Sequence, residues 1–318
     1  MLKTLRFFGS RLIYPQLADL GFLVSGLAIE RRRKRLAQFW DPHLENSKNF
    51  QKSCIKSGAQ GESLAVLGAG RLYDVALEDL ADAFTDISLF DADPQCLRYW
   101  KRASKMLPPH SQFSFHIGDI TCVLLPRLHA LRSHLSKSES WDQALDYLAA
   151  SPDLQMTPPS AFLSHDEFDA VLSINLLSQL PVYWQHIVET ELKTTFGAKH
   201  VLQNEEHWLA AFIPSAKSLV EQHLRDLRAS GARFILVITD YRYEHYYRDD
   251  SGNEVTEQID ALLGHEILDQ LALQELFPNY DAQYGAEWDW HIAPLGRDRN
   301  QVGERHKVIP ILLKSRGH

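Results

Sequence analysis

Apolar and polar positions along the chain predict short buried strands separated by amphipathic helices. Mainly apolar runs cover residues 64–67, 87–90, 170–174 and 234–239, and residues 113–117 are predicted to be a further strand. Runs of this length, bounded by polar or glycine residues, are typical of strands buried on both faces of a parallel sheet. Helical spacing follows the first run, with apolar residues at 75, 77, 80 and 84. A β-α-β order of this kind predicts an α/β fold with a doubly wound, mostly parallel sheet.

The end of the chain has a different pattern. Residues 287–292 and 306–313 alternate with period two, and the polar segment 296–304 separates them. This pattern predicts a terminal antiparallel hairpin that completes a seven-stranded sheet. Pro310 indicates an edge position or a bulge, because proline cannot donate to a strand ladder. Residues 121–136, 182–191, 205–230 and 258–278 are predicted to be helical.

The first 60 residues are predicted to form a helical appendage, or lid, in front of a domain that covers residues 61–318. Pro15 suits the first turn of a helix, and Leu17, Leu20, Val24 and Leu27 recur at helical spacing. Asp41-Pro42 is predicted to end this helix, and residues 45–62 to connect it to the first strand. Two insertions are predicted in the domain, at about 137–160 with one short helix near 141–150, and at about 240–258.

The apolar stretch 12–29 lies between Arg11 and the basic run 31–35, an arrangement that resembles a membrane anchor. Asp19 and several polar residues interrupt it, and a charge near the centre of a span costs roughly 2.5–3.5 kcal/mol. We therefore predict an amphipathic helix and no transmembrane span. The basic run is interpreted as a solvated helix face, with a patch for an acidic substrate or partner as the alternative.

Composition bounds the class of protein. The chain has 318 residues, of which 45% are apolar, so a sizeable core is expected. The net charge of −8 argues against broad nucleic-acid binding, which needs a basic face. Cys54, Cys96 and Cys122 are too widely spaced for a disulfide framework or a zinc site, which favours the cytoplasm. No histidine spacing indicates a metal, and nothing in the composition predicts the oligomeric state.

The candidate chemistry centres on the turn Gly68-Ala69-Gly70 after the first strand. Glycine lets the backbone approach a ligand closely, and the N–H groups of the following helix point at that ligand. Asp91 follows 21 residues later, at the end of the second strand, where a carboxylate can accept from both hydroxyls of a ribose. The unit therefore predicts a site for a nucleoside cofactor. Asp93-Pro94 is predicted to cap the next helix.

Four motifs in order resemble those of the class I S-adenosylmethionine-dependent methyltransferases. They are Leu-Gly-Ala-Gly at 67–70, Phe-Asp-Ala-Asp-Pro at 90–94, His-Ile-Gly-Asp-Ile at 116–120 and Phe-Asp-Ala-Val-Leu-Ser-Ile-Asn at 168–175. The resemblance covers about residues 60–315 and implies a Rossmann-like sheet whose terminal pair holds the single antiparallel strand. It also implies S-adenosylmethionine as cofactor, held by the 68–70 turn, Asp91, Asp119, Ile120 and Asn175. Asp119 would accept from the adenine amino group, or alternatively cap a helix that starts at Thr121.

The resemblance also indicates where an acceptor would bind. Trp40 and His43 of the appendage, Gln179 after the fourth strand, and Tyr241 and Tyr243 after the fifth are the candidate acceptor contacts. Residues 240–252 are predicted to be a loop at the same sheet edge, rich in aromatic and titratable groups. The candidate general bases in it are Asp240, Glu244 and His245.

The predicted function is methyl transfer to an oxygen or nitrogen of an acceptor that is either a small molecule or a protein. One alternative is a catalytically inactive methyltransferase-like scaffold. It is motivated by Leu67, where the family usually has an acidic residue, and by Arg71, near the place of a third glycine. A nicotinamide-dependent oxidoreductase is the other alternative. Tyr73 at the third position of the dinucleotide fingerprint and the terminal hairpin count against it.

Overall fold

A computed structural model describes residues 10–163, 168–261, 263, 265–297 and 302–317. Within these residues the strands are β1 Ser63–Leu67, β2 Asp86–Asp91, β3 Gln112–Ile117, β4 Ala170–Ile174, β5 Phe234–Arg248, β6 Glu254–Ala261, β7 Tyr280–Tyr284, β8 Trp288–Ala293 and β9 Gly303–Ser315. The helices are α1 Pro15–Asp19, α2 Phe22–Arg35, α3 Ala37–Lys56, α4 Leu77–Ala83, α5 Leu97–Ala103, α6 Leu124–Leu135, α7 Trp141–Ala150, α8 Pro152–Gln155, α9 Gln179–Phe196, α10 Ala198–Gln203, α11 Glu205–Ala229 and α12 Gln270–Leu276.

The central sheet has the strand order β3-β2-β1-β4-β5-β9-β7. Strands β1 to β5 pair in parallel, whereas β9 pairs antiparallel with both β5 and β7. The path reverses at β1, from which the chain goes first to one side of the sheet and then to the other. The predicted doubly wound, mostly parallel sheet with an antiparallel end is therefore confirmed. The described residues form nine strands rather than the predicted seven, because β6 pairs with β5 and β8 pairs with β9.

Strand β1 shows why an unbroken apolar run predicted a central strand. Leu64 and Val66 pack in the core cluster on one face of the sheet, with α4 and Trp100. Ala65 and Leu67 pack in the cluster on the other face, with α11. Since successive side chains of a strand point to opposite faces, a strand covered on both sides must be apolar at every position.

The N-terminal helices differ from the prediction. Asp41-Pro42 does not end a helix, because α3 continues through Pro42 to Lys56. The breaks lie instead at Gly21, which has a φ of +86°, and at Leu36. Ser47 and Gln51 are buried although polar, since both donate to the carbonyl of Asp74, at 2.9 and 2.6 Å. Polarity in residues 45–56 thus marks contacts to a turn of the domain, not a connecting loop.

The predicted loop at 240–252 and most of the predicted helix at 258–278 are wrong. Strand β5 continues to Arg248, and β6 returns along it as an antiparallel partner. The helix α12 covers only Gln270–Leu276. Residues 242–246 pair with β6 on one side and β9 on the other, and their tyrosines are of a type that is enriched in strands.

Pro310 does not lie at an edge, because β9 is flanked by β5 on one side and by β7 and β8 on the other. Its carbonyl accepts the N–H of Gly285 at 2.9 Å, so the nitrogen of Pro310 faces that same side. There, β8 pairs with β9 up to Val308 and β7 pairs from Ile311 onward. Proline therefore occupies the point where two partner strands meet and no ladder donor is required.

The predicted helix near 141–150 is confirmed as α7. The segment after it is held by the fully buried Arg127, which donates to the carbonyl of Met156 in that segment at 2.9 Å. Arg127 also donates to the carbonyl of Ser215 in α11, at 2.8 Å. Across the described ranges, no helix combines the length and apolar character that crossing a membrane requires.

Candidate cofactor and acceptor site

The first turn is shaped by its two glycines. Gly68 and Gly70 have φ values of +72° and +49°, which residues with a side chain adopt only with strain. A Cβ on Gly68 would lie 3.0 Å from the carbonyl oxygen of Ile174, at the end of β4. The next residue, Ala69, donates its N–H to the carbonyl of Phe90 at 3.0 Å. The turn is therefore pressed between the carboxyl ends of β2 and β4.

Asp91 contacts this turn directly. Its Oδ2 accepts the N–H of Gly70 at 2.8 Å, and its Oδ1 accepts the N–H of Asp93 at 2.7 Å. Burial raises the pKa of Asp91, while these two hydrogen bonds act in the opposite direction. Each carboxylate oxygen has a second lone pair, so Asp91 keeps the capacity to accept from a ligand.

Asp93 caps the next segment, as predicted. Its Oδ1 accepts the N–H of Gln95 at 3.0 Å, at the start of the single 3₁₀ turn Pro94–Cys96. Burial raises the pKa of Asp93 to about 6. Its Oδ2 lies 3.4 Å from Arg71 Nη2 in an ion pair that is nearly closed to solvent.

Arg71, which departs from the family pattern, joins the turn to the N-terminal helix α2. Its Nη1 donates to the carbonyl of Gly26 at 2.5 Å, and its Nη2 lies 3.6 Å from Glu30. Gly26 has no room for a side chain, since a Cβ would overlap the carboxylate of Asp93. Helix α2 therefore lies directly against the residues that flank the Gly68–Gly70 turn, Arg71 and Asp93.

The start of α2 is held by α9 on the other side of the edge. Tyr183 stacks on Phe22 with ring centroids 4.3 Å apart, and its hydroxyl donates to Ser25 Oγ at 2.9 Å. Gln95 donates to the carbonyl of Leu23 at 3.3 Å. Helix α2 thus spans the carboxyl edge from the segment after β2 to the helix after β4.

Asp119 makes the hydrogen bonds of a helix cap. It accepts from the N–H and the hydroxyl of Thr121 at 3.0 and 2.7 Å, and from the N–H of Leu124 at 2.9 Å. The helix begins at Leu124 rather than at Thr121. The carbonyl of Ile120 accepts from Ser160 at 2.7 Å, so the end of the 137–160 insertion packs on this corner. A contact to adenine stays a prediction.

Asn175 lies in the left-handed region, with a φ of +49°, at the end of β4. Its Nδ2 donates to Asp74 Oδ2 at 2.8 Å and lies 3.2 Å from His43 Nε2. Its Oδ1 is buried and has no hydrogen-bond partner among the described atoms. Burial raises the pKa of Asp74 to about 6. Sequence reasoning missed Asp74, whose only signal is its position four residues after Gly70.

His43 is enclosed by aromatic side chains from β8. Its ring stacks on Trp290 with centroids 4.2 Å apart, and Trp288 Nε1 donates to its Nδ1 at 3.0 Å. Burial lowers the pKa of His43 to about 4, so the ring is neutral and, with Nδ1 accepting from Trp288, carries its proton on Nε2. Nε2–H and Asn175 Nδ2 are both donors, so their 3.2 Å contact is not a hydrogen bond. Trp40 packs edge-on against Trp290 at 5.3 Å. The structure therefore brings His43 to the site, but inside a packed cluster.

Asp240 anchors a second polar group at the same edge. It accepts from Ser178 and lies 2.5 Å from His306 Nδ1, and His306 Nε2 lies 2.7 Å from Glu304. Burial pushes the pKa of Asp240 upward, but His306 outweighs it and the pKa is lowered. Burial also opposes the charge on His306, yet the two carboxylates raise its pKa to about 9. Sequence reasoning missed His306 and Ser178.

The remaining predicted residues lie farther along the β5–β6 ribbon or at its rim. Glu244 pairs with Arg305 at 2.6 Å, and alternation along β5 places His245 on the opposite face, against Tyr243 at 5.4 Å. Tyr241 donates to Glu287 at 3.1 Å. Gln179 is the half-buried first residue of α9. The three candidate bases are thus not one cluster.

The chain matches no protein-family model and no curated protein. Among solved structures it is similar to the YcgJ protein from Bacillus subtilis, with 10% identity, a TM-score of 0.40 and coverage of 86% of this chain and 100% of that chain. It is also similar to the methyltransferase domain of bacterial CtHen1, with 12% identity, a TM-score of 0.38 and coverage of 85% and 98%. The N-methyltransferase NodS from Bradyrhizobium japonicum, in complex with S-adenosylhomocysteine, aligns at 9% identity and a TM-score of 0.36, over 85% and 86%.

These identities and TM-scores are low, so the similarities carry no argument about this chain. The fold is established by features of this chain itself. They are the strand order, with β9 antiparallel between β5 and β7, and the glycine turn beside Asp91. Both agree with what the ordered motifs imply. On these features, the chain has the doubly wound sheet with an antiparallel end that the resemblance of its motifs implies.

Proposed function

We propose that this protein transfers the methyl group of S-adenosylmethionine to an oxygen or nitrogen of an acceptor. The observation that carries the proposal is the contact of Asp91 with the N–H of Gly70 at 2.8 Å. It sets a carboxylate beside a side-chain-free turn at the carboxyl edge, where doubly wound folds bind nucleotides. Asp91 would hold the ribose hydroxyls, and Gly68 and Gly70 would let the cofactor lie against the backbone.

The residues at the turn fit this cofactor. The unpartnered, buried Oδ1 of Asn175 is suited to a hydrogen-bond donor such as the ammonium group of the methionine part. Asp119 and Ile120 stand at the end of β3, where the resemblance expects the adenine. The cofactor would supply a methyl group already activated by its sulfonium, so the protein would act mainly by orienting the reactants and excluding water.

The acceptor would enter on the side formed by α3, the start of α9 and the paired strands β5 and β9. Asp240 fits poorly as a general base, because its oxygens are engaged by Ser178 and His306 and its pKa is held low. We assign it the role of holding His306 and Ser178 in place. Glu244 and His245 remain the candidate bases, and Asp74 would orient Asn175 by accepting from its Nδ2.

The test is calorimetric titration of the full chain with S-adenosylmethionine and S-adenosylhomocysteine, with NADH as the ligand control. We expect micromolar binding of the first two, weakened at least about tenfold in Asp91→Ala, because a hydrogen bond to a charged group contributes roughly 1.5–3 kcal/mol. Asp86→Ala is the matched control, since Asp86 lies exposed at the opposite end of β2. Circular dichroism of both variants checks that they fold.

Three results are informative against the proposal. If neither methionine derivative binds, the protein is better explained as a methyltransferase-like scaffold. If NADH binds instead, it is better explained as an oxidoreductase. Equal weakening in Asp91→Ala and Asp86→Ala would remove the assigned role of Asp91.

A further inference from the structure

The N-terminal helical region exposes an unusual concentration of large apolar side chains. Leu12, Ile13, Val24 and Ile29 have 83%, 71%, 61% and 50% of their surface exposed. The other large apolar residues exposed to this degree, such as Met106, Leu202 and Leu271, are scattered over the rest of the described chain. Scattered apolar residues on a surface are ordinary, whereas a cluster marks a contact surface.

Helix α2 has two different faces. Leu23, Gly26 and Glu30 face the domain and are buried, and this is the face tied to Arg71 and Asp93. Val24, Ala28 and Arg31 recur at spacings of four and three residues and are exposed, so they lie together on the outer face. The outer face is therefore apolar in its first half and basic toward its end.

The charge of this region is opposite to that of the whole protein. Residues 10–35 contain six arginine or lysine residues and two carboxylates, whereas the chain has a net charge of −8. Arg31 and Arg35 are exposed at the end of the same helix. Both a second copy of this acidic chain and a phosphate-bearing surface would present negative charge to these arginines. The phosphate-bearing surface would present it at a much higher density.

We propose that the outer face of residues 11–35 binds an anionic lipid surface. Val24 on this face, Ile29 at its flank, and Leu12 and Ile13 before the helix would insert at the level of the headgroups. Arg31 and Arg35 would contact lipid phosphates, as in interfacial amphipathic helices. The region would lie on the bilayer without crossing it. This inference does not depend on the proposed function. If both hold, the inner face of the same helix places the cofactor turn beside the membrane.

The test is cosedimentation of the full chain with vesicles of phosphatidylcholine alone or mixed with phosphatidylglycerol. We expect at least about tenfold more bound protein on the anionic vesicles, since each cation near such a surface contributes about 1 kcal/mol. Binding should fall as salt is raised, because screening shortens the reach of the charges. No sedimentation, or equal binding to neutral vesicles, would overturn the proposal.

Variants separate this surface from general stickiness. Val24→Asp combined with Ile29→Asp should abolish binding, whereas Leu271→Asp, at a residue 76% exposed on α12, should leave it unchanged. Arg31→Glu should weaken it more than Lys199→Glu, on the exposed part of α10. Equal loss in the control variants would overturn the proposal. So would self-association, measured by light scattering, that the Val24 and Ile29 substitutions remove, because a second copy would then cover the face.

Discussion

The carboxylate of Asp91 holds the N–H of Gly70 at 2.8 Å, across 21 residues of chain and an intervening helix. The carbonyl of Gly70 is held in turn by Trp100 Nε1 at 2.8 Å. The turn proposed to contact the cofactor is therefore held through both the N–H and the carbonyl of Gly70 before any ligand binds. A loop with positive φ values needs such support, because its conformation is not one the chain prefers by itself.

Replacement of Asp91 by asparagine tests this support without emptying the position. The amide keeps one acceptor oxygen but cannot accept both backbone N–H groups. We expect Asp91→Asn to lower the free energy of unfolding by about 1–3 kcal/mol, as for a buried donor left without a partner. Urea denaturation measures it, with Asp86→Asn at the exposed end of the strand as control. Equal values for the two variants would show that the turn does not need Asp91.

Removal of Arg71 should detach α2 from the turn. Arg71→Ala leaves Asp93 and Glu30 buried without this countercharge, which typically costs about 3–5 kcal/mol. We expect faster amide hydrogen exchange across Phe22–Arg35 and a lower free energy of unfolding. Arg98→Ala, which removes a more exposed ion pair to the same Glu30, should change both much less. Unchanged exchange in α2 would contradict the assigned role of Arg71.

For Gly26→Ala we predict a change in the free energy of unfolding that is opposite in sign to the usual one. In the middle of an exposed helix this change stabilises by about 1 kcal/mol. Here the added Cβ would overlap the carboxylate of Asp93, so we expect destabilisation instead. In an Asp93→Ala background the overlap with the carboxylate is gone and only the Cβ of residue 93 remains close, at 3.3 Å, so the same change should cost much less. Thermal and urea unfolding of the four proteins complete the cycle, and a stabilising effect in both backgrounds would show that α2 is not pressed against Asp93.

The ion pair of His306 with Asp240 should make stability depend on pH. The pKa of His306 is about 9 in the fold against 6.5 for the free side chain. A raised pKa means that its contribution, about 3 kcal/mol, is complete below pH 6.5 and is lost as the pH rises through 9. His306→Gln should therefore cost most near pH 6 and little above pH 9.

The measurement is the free energy of unfolding of both proteins across this range of pH. His110→Gln, at an exposed position before β3, is the control. A cost that does not change with pH would mean that His306 contributes through packing alone.

Much of the fold could be predicted from local pattern. The runs that became β1 and β4 were recognisable because a strand buried on both faces is apolar at nearly every position. Gly68, Gly70 and Asp91 were recognisable because their chemistry depends on short-range spacing within one β-α-β unit. The cap at Asp93 was likewise local, as its carboxylate accepts an N–H only two residues ahead.

The predictions were wrong where the structure of a segment depends on residues far away in the sequence. Residues 240–248 have the composition of a surface loop, and only their pairing with β9 and β6 makes them a strand. Ser47 and Gln51 read as polar linker residues, but they are buried because the carbonyl of Asp74 needs donors. No window of sequence contains both partners of these contacts.

The sequence by itself determined the class of fold, the positions of its first strands along the chain and the turn that faces Asp91. Each depends on neighbours within about thirty residues, the length of one β-α-β unit. Only the tertiary structure decided which side chains meet at the site. His43 reaches Asn175 across 132 residues and Trp288 across 245, while Asp240 reaches His306 across 66. Hydrogen bonds and buried charges act over a few ångströms of space, whatever the separation along the chain. For that reason the arrangement of residues on the side proposed for the acceptor could be recognised only in the folded structure.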